Sequence, residues 1–176
     1  MLCEDEEHRR LAVEYMKRCR IDAHRAVDAQ VASEKQGGSA SQWVLQEFPR
    51  QLHACRQRAK RTRTLLVVLI DADKWEIQRR RRHLEDKLKE SGFEKLDEAD
   101  PLALLIPRWH VETWICALLG ETVSEDEDCK DWEKPTKTEI QEAARVAYDW
   151  AREKAVLGAT CVPSLKVAIP EWRKIG

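Results

Sequence analysis

The chain has 176 residues, enough for one domain with its own core. A composition of 36% charged and 43% hydrophobic residues excludes a disordered chain and describes a globular domain with a heavily charged surface. With 31 basic against 32 acidic residues the formal net charge is −1, so total charge singles out no class of partner and only its distribution informs.

Residues 1–4 read as the tail of a short strand. Residues 5–19 then predict a helix, with Leu11, Tyr15 and Cys19 on one stripe and Asp5 to Glu7 at the positive end of its dipole. Residues 24–32 are a weaker strand candidate. In the loop 33–41, Gly37 and Gly38 break regular structure, and Ser39 or Ser41 can cap the next helix. That helix, predicted from about 40 to 58, contains Pro49, which predicts a kink or a division. A basic connector leads to a strand over 65–71, and a helix comes next over roughly 75–91, with Ile77, Leu84 and Leu88 on one stripe. Residues 102–106, LALLI, suit a strand covered on both faces, stopped by Pro107. A short, almost wholly apolar helix occupies 109–119.

From 121 to 133 the chain holds seven acids and one lysine. Residues 138–156 predict a last helix. The tail CVPSLKVAIPEWRKIG, with two prolines, reads as a packed irregular segment. Alternation of buried strands with helices predicts an α/β fold, a single domain with a small, mainly parallel sheet flanked by helices. Residues 1–120 form its core, and 121–176 complete the same domain. The six cysteines show no CxxC spacing and are expected to be free in a reducing compartment. No apolar run reaches about 18 residues, and MLCEDEEHRR places acids where a signal peptide needs basic then apolar residues. A cytoplasmic location without membrane attachment is expected.

The most informative segment is LLVVLIDAD, residues 65–73. A buried strand ending on an Asp-x-Asp pair puts two oxygen ligands at the mouth of a sheet. Period-2 alternation predicts that Asp71 and Asp73 point to the same side, an arrangement suited to Mg²⁺. Local capping of a strand–helix turn is the alternative. Glu112 lies in an apolar helix, where an unpaired carboxylate is costly. It is either a metal ligand or the partner of Arg108, Arg80 or Arg81. Glu4 succeeds the first strand as Asp71 succeeds a later one. Glu4, Asp71, Asp73 and Glu112 would thus converge from strand ends, and a cation would offset their repulsion. Residues 50–63 carry Arg56, Arg58, Lys60 and Arg61 among their basic residues and no acid. Of the arginines at 79–82, Arg81 shares the apolar stripe and is expected either to snorkel or to pair inward. Arg79, Arg80 and Arg82 either meet phosphates or form a solvated face. Arg108 is a further candidate nucleic-acid contact. His8 and His110 either assist the chemistry or are structural, and Trp75 is a packing residue or a lid.

These residues resemble a Toprim domain, the nucleotidyl-transfer and hydrolysis module of topoisomerases, primases and OLD-family nucleases. The resemblance rests on Glu4 in LCEDE and on Asp71 and Asp73 in LIDAD. It is closer to small stand-alone Toprim-like proteins of bacteria through CED at 3–5, GSASQWV at 38–44 and VETW at 111–114. It implies a Rossmann-like core and Mg²⁺ as cofactor, with Mn²⁺ able to substitute. It assigns catalysis to Glu4, Asp71 and Asp73, with Glu112 as an auxiliary ligand. It further implies a nuclease, with DNA the first-choice substrate, working in antiviral defence beside a P-loop ATPase, with homo-oligomerisation open. The first strand here is shorter than in that family, and no glycine precedes Glu4. A non-catalytic interaction subunit, and a small-substrate phosphoryl or nucleotidyl transferase, are the alternatives.

Overall fold

Side-chain alternation along the central strand sorts the molecule into two layers. In β3 (Leu66–Leu69) and its extension, Leu66, Val68 and Ile70 join one apolar cluster, while Val67 and Leu69 join the other. A computed structural model describes residues 1–33, 38–73, 75–126, 128 and 133–176. Its sheet also contains β1 (Leu2–Cys3), β2 (Gln30–Val31) and β4 (Leu102–Leu105), in the order β2-β1-β3-β4, with every pairing parallel. The compact α/β architecture, with a parallel sheet and flanking helices, agrees with the sequence reading.

Helix α1 (Glu6–Arg18) starts where the Asp5 side chain accepts the backbone N–H of His8, and it buries Leu11, Ala12, Tyr15 and Met16. With α5 (Val111–Leu118), α6 (Lys137–Ala151) and α7 (Pro163–Ile175) it covers one face of the sheet. The other face is covered by α3 (Ala40–Ala59), which opens on a reciprocal Ser39–Gln42 capping box, and by α4 (Ile77–Glu90). Pro49 is buried within α3 and does not divide it.

Two segments depart from the sequence reading. Residues 24–32 form mostly the short helix α2 (Ala23–Ala26) and the two-residue β2, because Asp22 caps a helical turn by accepting from His24 N–H. The tail is the regular helix α7. Pro163 occupies its first turn, where a missing N–H costs nothing, and Trp172 is fully buried on its inner face. Its side chains also serve the outer edge of β4, where Leu104 N–H donates to Glu171 Oε2 at 3.0 Å and Lys174 Nζ to Leu102 O at 3.2 Å. The five described cysteines are free, and Cys129 lies outside the described residues. Among the described residues no helix is long and apolar enough to cross a membrane.

Candidate active site

The sheet hydrogen bonding runs past the ends of its strands and aligns the acids. Glu4 N–H donates to Leu69 O at 3.1 Å, and Ala72 N–H donates to Pro107 O at 2.8 Å. These bonds bring Glu4 beside Asp71, whose backbone N–H donates to Glu4 Oε2 at 2.9 Å. Burial first, and the Asp71 carboxylate next, push the Glu4 carboxyl up to about 7.

Asp71 continues the alternation of Val67 and Leu69 and meets α1 and α5. His8 Nε2 lies 2.9 Å from Asp71 Oδ1, and His8 Nδ1 lies 2.6 Å from Asp5 Oδ1. Burial works against charge on the fully buried His8 ring, but Asp71 and Asp5 prevail and hold its pKa well above the ordinary value. Asp5 is also partly buried, yet its bonds to His8 hold its carboxyl below the usual range. On the other side His110 Nδ1 stands 3.7 Å from Asp71 Oδ2, while its Nε2 lies 2.7 Å from Asp128 Oδ1. Asp71 first, then Asp128, raise His110 to about 9. Asp5, His8, Asp71, His110 and Asp128 therefore form one continuous polar chain across the crevice.

Asp73 does not share the side taken by Asp71, which corrects the expectation from period-2 alternation. The chain leaves strand geometry after Leu69, and Asp73 sits at φ +54°. Its carboxylate pairs with Arg80 of α4, Nη2 to Oδ2 at 2.6 Å, on the face opposite α1. Of the two alternatives for Arg81, inward pairing is not the one taken. Arg80 is the buried arginine, and Arg81 lies exposed beside Glu85. The buried Arg80 Nε has no acceptor among the described residues.

Glu112 lies half-buried in the first turn of α5, and burial, then Asp5 and Asp71, raise its carboxyl. Neither Arg108 nor Arg80 is committed to it. Arg108 pairs with Glu76 at 3.0 Å and donates to Trp75 O, and Arg80 holds Asp73.

The remaining basic candidates divide by position. Arg79 and Arg82 are exposed on the first turns of α4. Arg58, Lys60 and Arg61 lie at or just beyond the end of α3, ahead of β3, and so at the pole of the sheet away from Asp71. Arg58 there lines a cavity of about 660 Å³ with Met1, Thr62 and Leu66. Arg56 shares that pole and is committed internally. Its guanidinium binds both Asp100 oxygens at 2.6 Å and the carbonyls of Glu94 and Lys95, so it serves as a structural tie.

Two participants escaped the sequence reading. Asp5 was legible only as an acid at the positive end of α1, and its i, i+3 relation to His8 was the available signal. Asp128 gave none beyond its place in an acidic run. That run is drawn inward: Trp109 Nε1 donates to Glu125 O, and the Glu125 carboxylate accepts from Ser164 N and Oγ. Residues 127 and 129–132 of the run lie outside the described residues, as do 34–37 and 74.

Ligand atoms of Asp5, His8 and Asp71 lie within 4.8 Å of one another, so this cluster could hold a divalent cation. The donor chemistry fits Mg²⁺ or Mn²⁺, because oxygen ligands dominate, and because a cation would offset the burial, and after it the neighbouring acids, that raise the Glu4 and Glu112 carboxyls. No protein-family model matches the chain, and no curated protein or solved structure matches it.

Proposed function

We propose that this chain is a metal-dependent nuclease hydrolysing phosphodiester bonds in nucleic acid, as the Toprim resemblance implies. The observation that carries the reading is the meeting of Glu4 and Asp71 at adjacent parallel strand ends, one 2.9 Å hydrogen bond apart. Carboxylates gathered at the C-terminal ends of parallel strands are the usual setting for a ligand in such folds. The acids that would hold Mg²⁺ or Mn²⁺ are Asp71 and Asp5, with Glu4 and Glu112 beside them. When bound, the metal supplies charge stabilisation at the phosphoryl oxygens and a more acidic water.

The protein's own residues do the positioning. His8 fixes the Asp71 carboxylate from within the core, and Arg80 fixes Asp73 from the opposite layer. Arg108 ties the Trp75 carbonyl and Glu76, so the loop after β3 keeps its shape. Arg79 and Arg82, exposed on the first turns of the helix that follows the Asp73 loop, would meet the flanking phosphates. His110, held by Asp128, faces Asp71 and is placed to donate a proton towards the crevice. A P-loop ATPase partner and a defence role are part of this proposal through the resemblance alone.

A second reading has its own support. Asp71 and Asp73 already have cationic partners in His8 and Arg80, so these two carboxylates are internally compensated. That favours a non-catalytic subunit that has kept the fold. One experiment separates the two: cleavage of supercoiled, linear and single-stranded DNA and of RNA with Mg²⁺ or Mn²⁺, with Asp71→Ala/Asp73→Ala alongside. Metal-dependent cleavage lost in the double variant supports the nuclease. Absence of cleavage with every substrate favours the subunit.

A further inference from the structure

Trp75 stands two residues beyond Asp73 and belongs to neither apolar cluster among the described residues. It is half-buried among polar groups. The Arg79 guanidinium lies over its ring, 3.6 Å from the centroid, and His83 meets it edge-on at 5.8 Å. A tryptophan that does not fill a core is an expensive choice for packing alone. The Trp75 carbonyl is held by Arg108, which fixes the backbone that carries the ring. Arg79 itself is exposed. The indole therefore holds a planar cation over its face at the surface, on the segment that follows Asp73.

We infer that the Arg79–Trp75 stack is a platform for one unpaired nucleobase, so that the site acts on a single-stranded stretch of nucleic acid. This rests on the nuclease reading and names its substrate class. Every base has a π face, and a guanidinium plane or an aromatic ring stacks on it without regard to sequence. A continuous duplex hides those faces between neighbouring pairs, so the platform serves only a strand that is unpaired, frayed or unwound. Arg82, exposed on the same helix, adds attraction for the backbone without choosing a base.

The test is binding without cleavage. The full chain, kept in chelator, is titrated against labelled single-stranded DNA, single-stranded RNA and a duplex of the same sequence, read by fluorescence anisotropy at physiological salt. The wild type is expected to hold at least one single strand more tightly than the duplex. Trp75→Leu removes the support, and Arg79→Lys keeps the charge but loses the plane. Each is expected to weaken single-strand binding about tenfold and duplex binding by a clearly smaller factor. Trp75→Phe, which keeps a ring under Arg79, is expected to retain most of the affinity and guards against a folding defect. The inference is overturned if the duplex binds as tightly as the better-bound single strand, if no nucleic acid binds, or if Arg79→Lys matches the wild type. The DNA and RNA arms identify which strand is preferred. Because no bond is cut, failure here is distinct from failure of the nuclease reading, which the metal-dependent cleavage assay decides.

Discussion

His8 Nε2 and Asp71 Oδ1 meet at 2.9 Å in a place where the imidazole has no exposed surface, joining the first helix to the end of the central strand. With Asp5 on the other ring nitrogen, His8 is a buried cross-link between a helix cap and the candidate site. Its removal leaves two carboxylates without their partner. His8→Ala is therefore expected to cost about 2–4 kcal/mol of stability. Urea unfolding monitored by circular dichroism measures it. A loss below about 0.5 kcal/mol would mean that water replaces the ring at little cost.

His110 should write its own signature into the pH dependence of stability. Its folded pKa is about 9, above the ordinary 6.5, so it binds its proton more tightly folded than unfolded. The stabilisation is complete below about pH 6.5 and is lost as pH rises through about 9. In chelator, the unfolding free energy of wild type should fall across that interval more steeply than that of His110→Gln. Identical slopes would show that Asp71 and Asp128 do not hold the ring in solution.

The acid cluster predicts a stability gain on adding metal. A cation that binds only the folded chain contributes about 2.7 kcal/mol at a hundredfold excess over its dissociation constant. Thermal unfolding should shift upward with Mg²⁺ or Mn²⁺, and Asp71→Asn should abolish the shift. Equal shifts in wild type and Asp71→Asn would move the metal elsewhere on the protein.

Arg56 and Asp100 predict an acid-sensitive tie far from the site. Burial opposes ionisation of Asp100, but the Arg56 hydrogen bonds prevail and hold its carboxyl below the usual 3.8. The resulting stability is present above that value and lost as pH falls through the lower folded one. Asp100→Asn should cost about 2–3 kcal/mol near neutrality and progressively less in acid. Denaturant unfolding near neutrality and at about pH 3 compares the two.

The residues explain what the sequence could and could not say. The strand over 65–71 was legible because an unbroken apolar run has one simple home, a sheet covered on both faces. Glu4 and Asp71 were legible as a pair because each stands at the end of such a run. The direction of Asp73 was not, because strand periodicity ends where the strand ends, and a left-handed residue redirects the side chain. Arg80 could not be picked from four consecutive arginines, since the choice depends on the rotation of α4 against the sheet. The tail hid its helix behind Pro163 and Pro170, one of which sits where helices accept proline. Asp128 joins the crevice through a tertiary contact with His110, and nothing local foretells that.

The outer edge of β4 has a consequence for the company this protein keeps. Leu104 N–H and Leu102 O, the groups through which another chain would add a strand, are engaged by Glu171 and Lys174 of α7. A net charge of −1 provides little mutual repulsion between molecules. Resistance to edge-to-edge polymerisation therefore resides in two side chains of the last helix. Fraying of that helix would turn a satisfied strand into a seed for aggregation, before the central sheet had lost any of its own order.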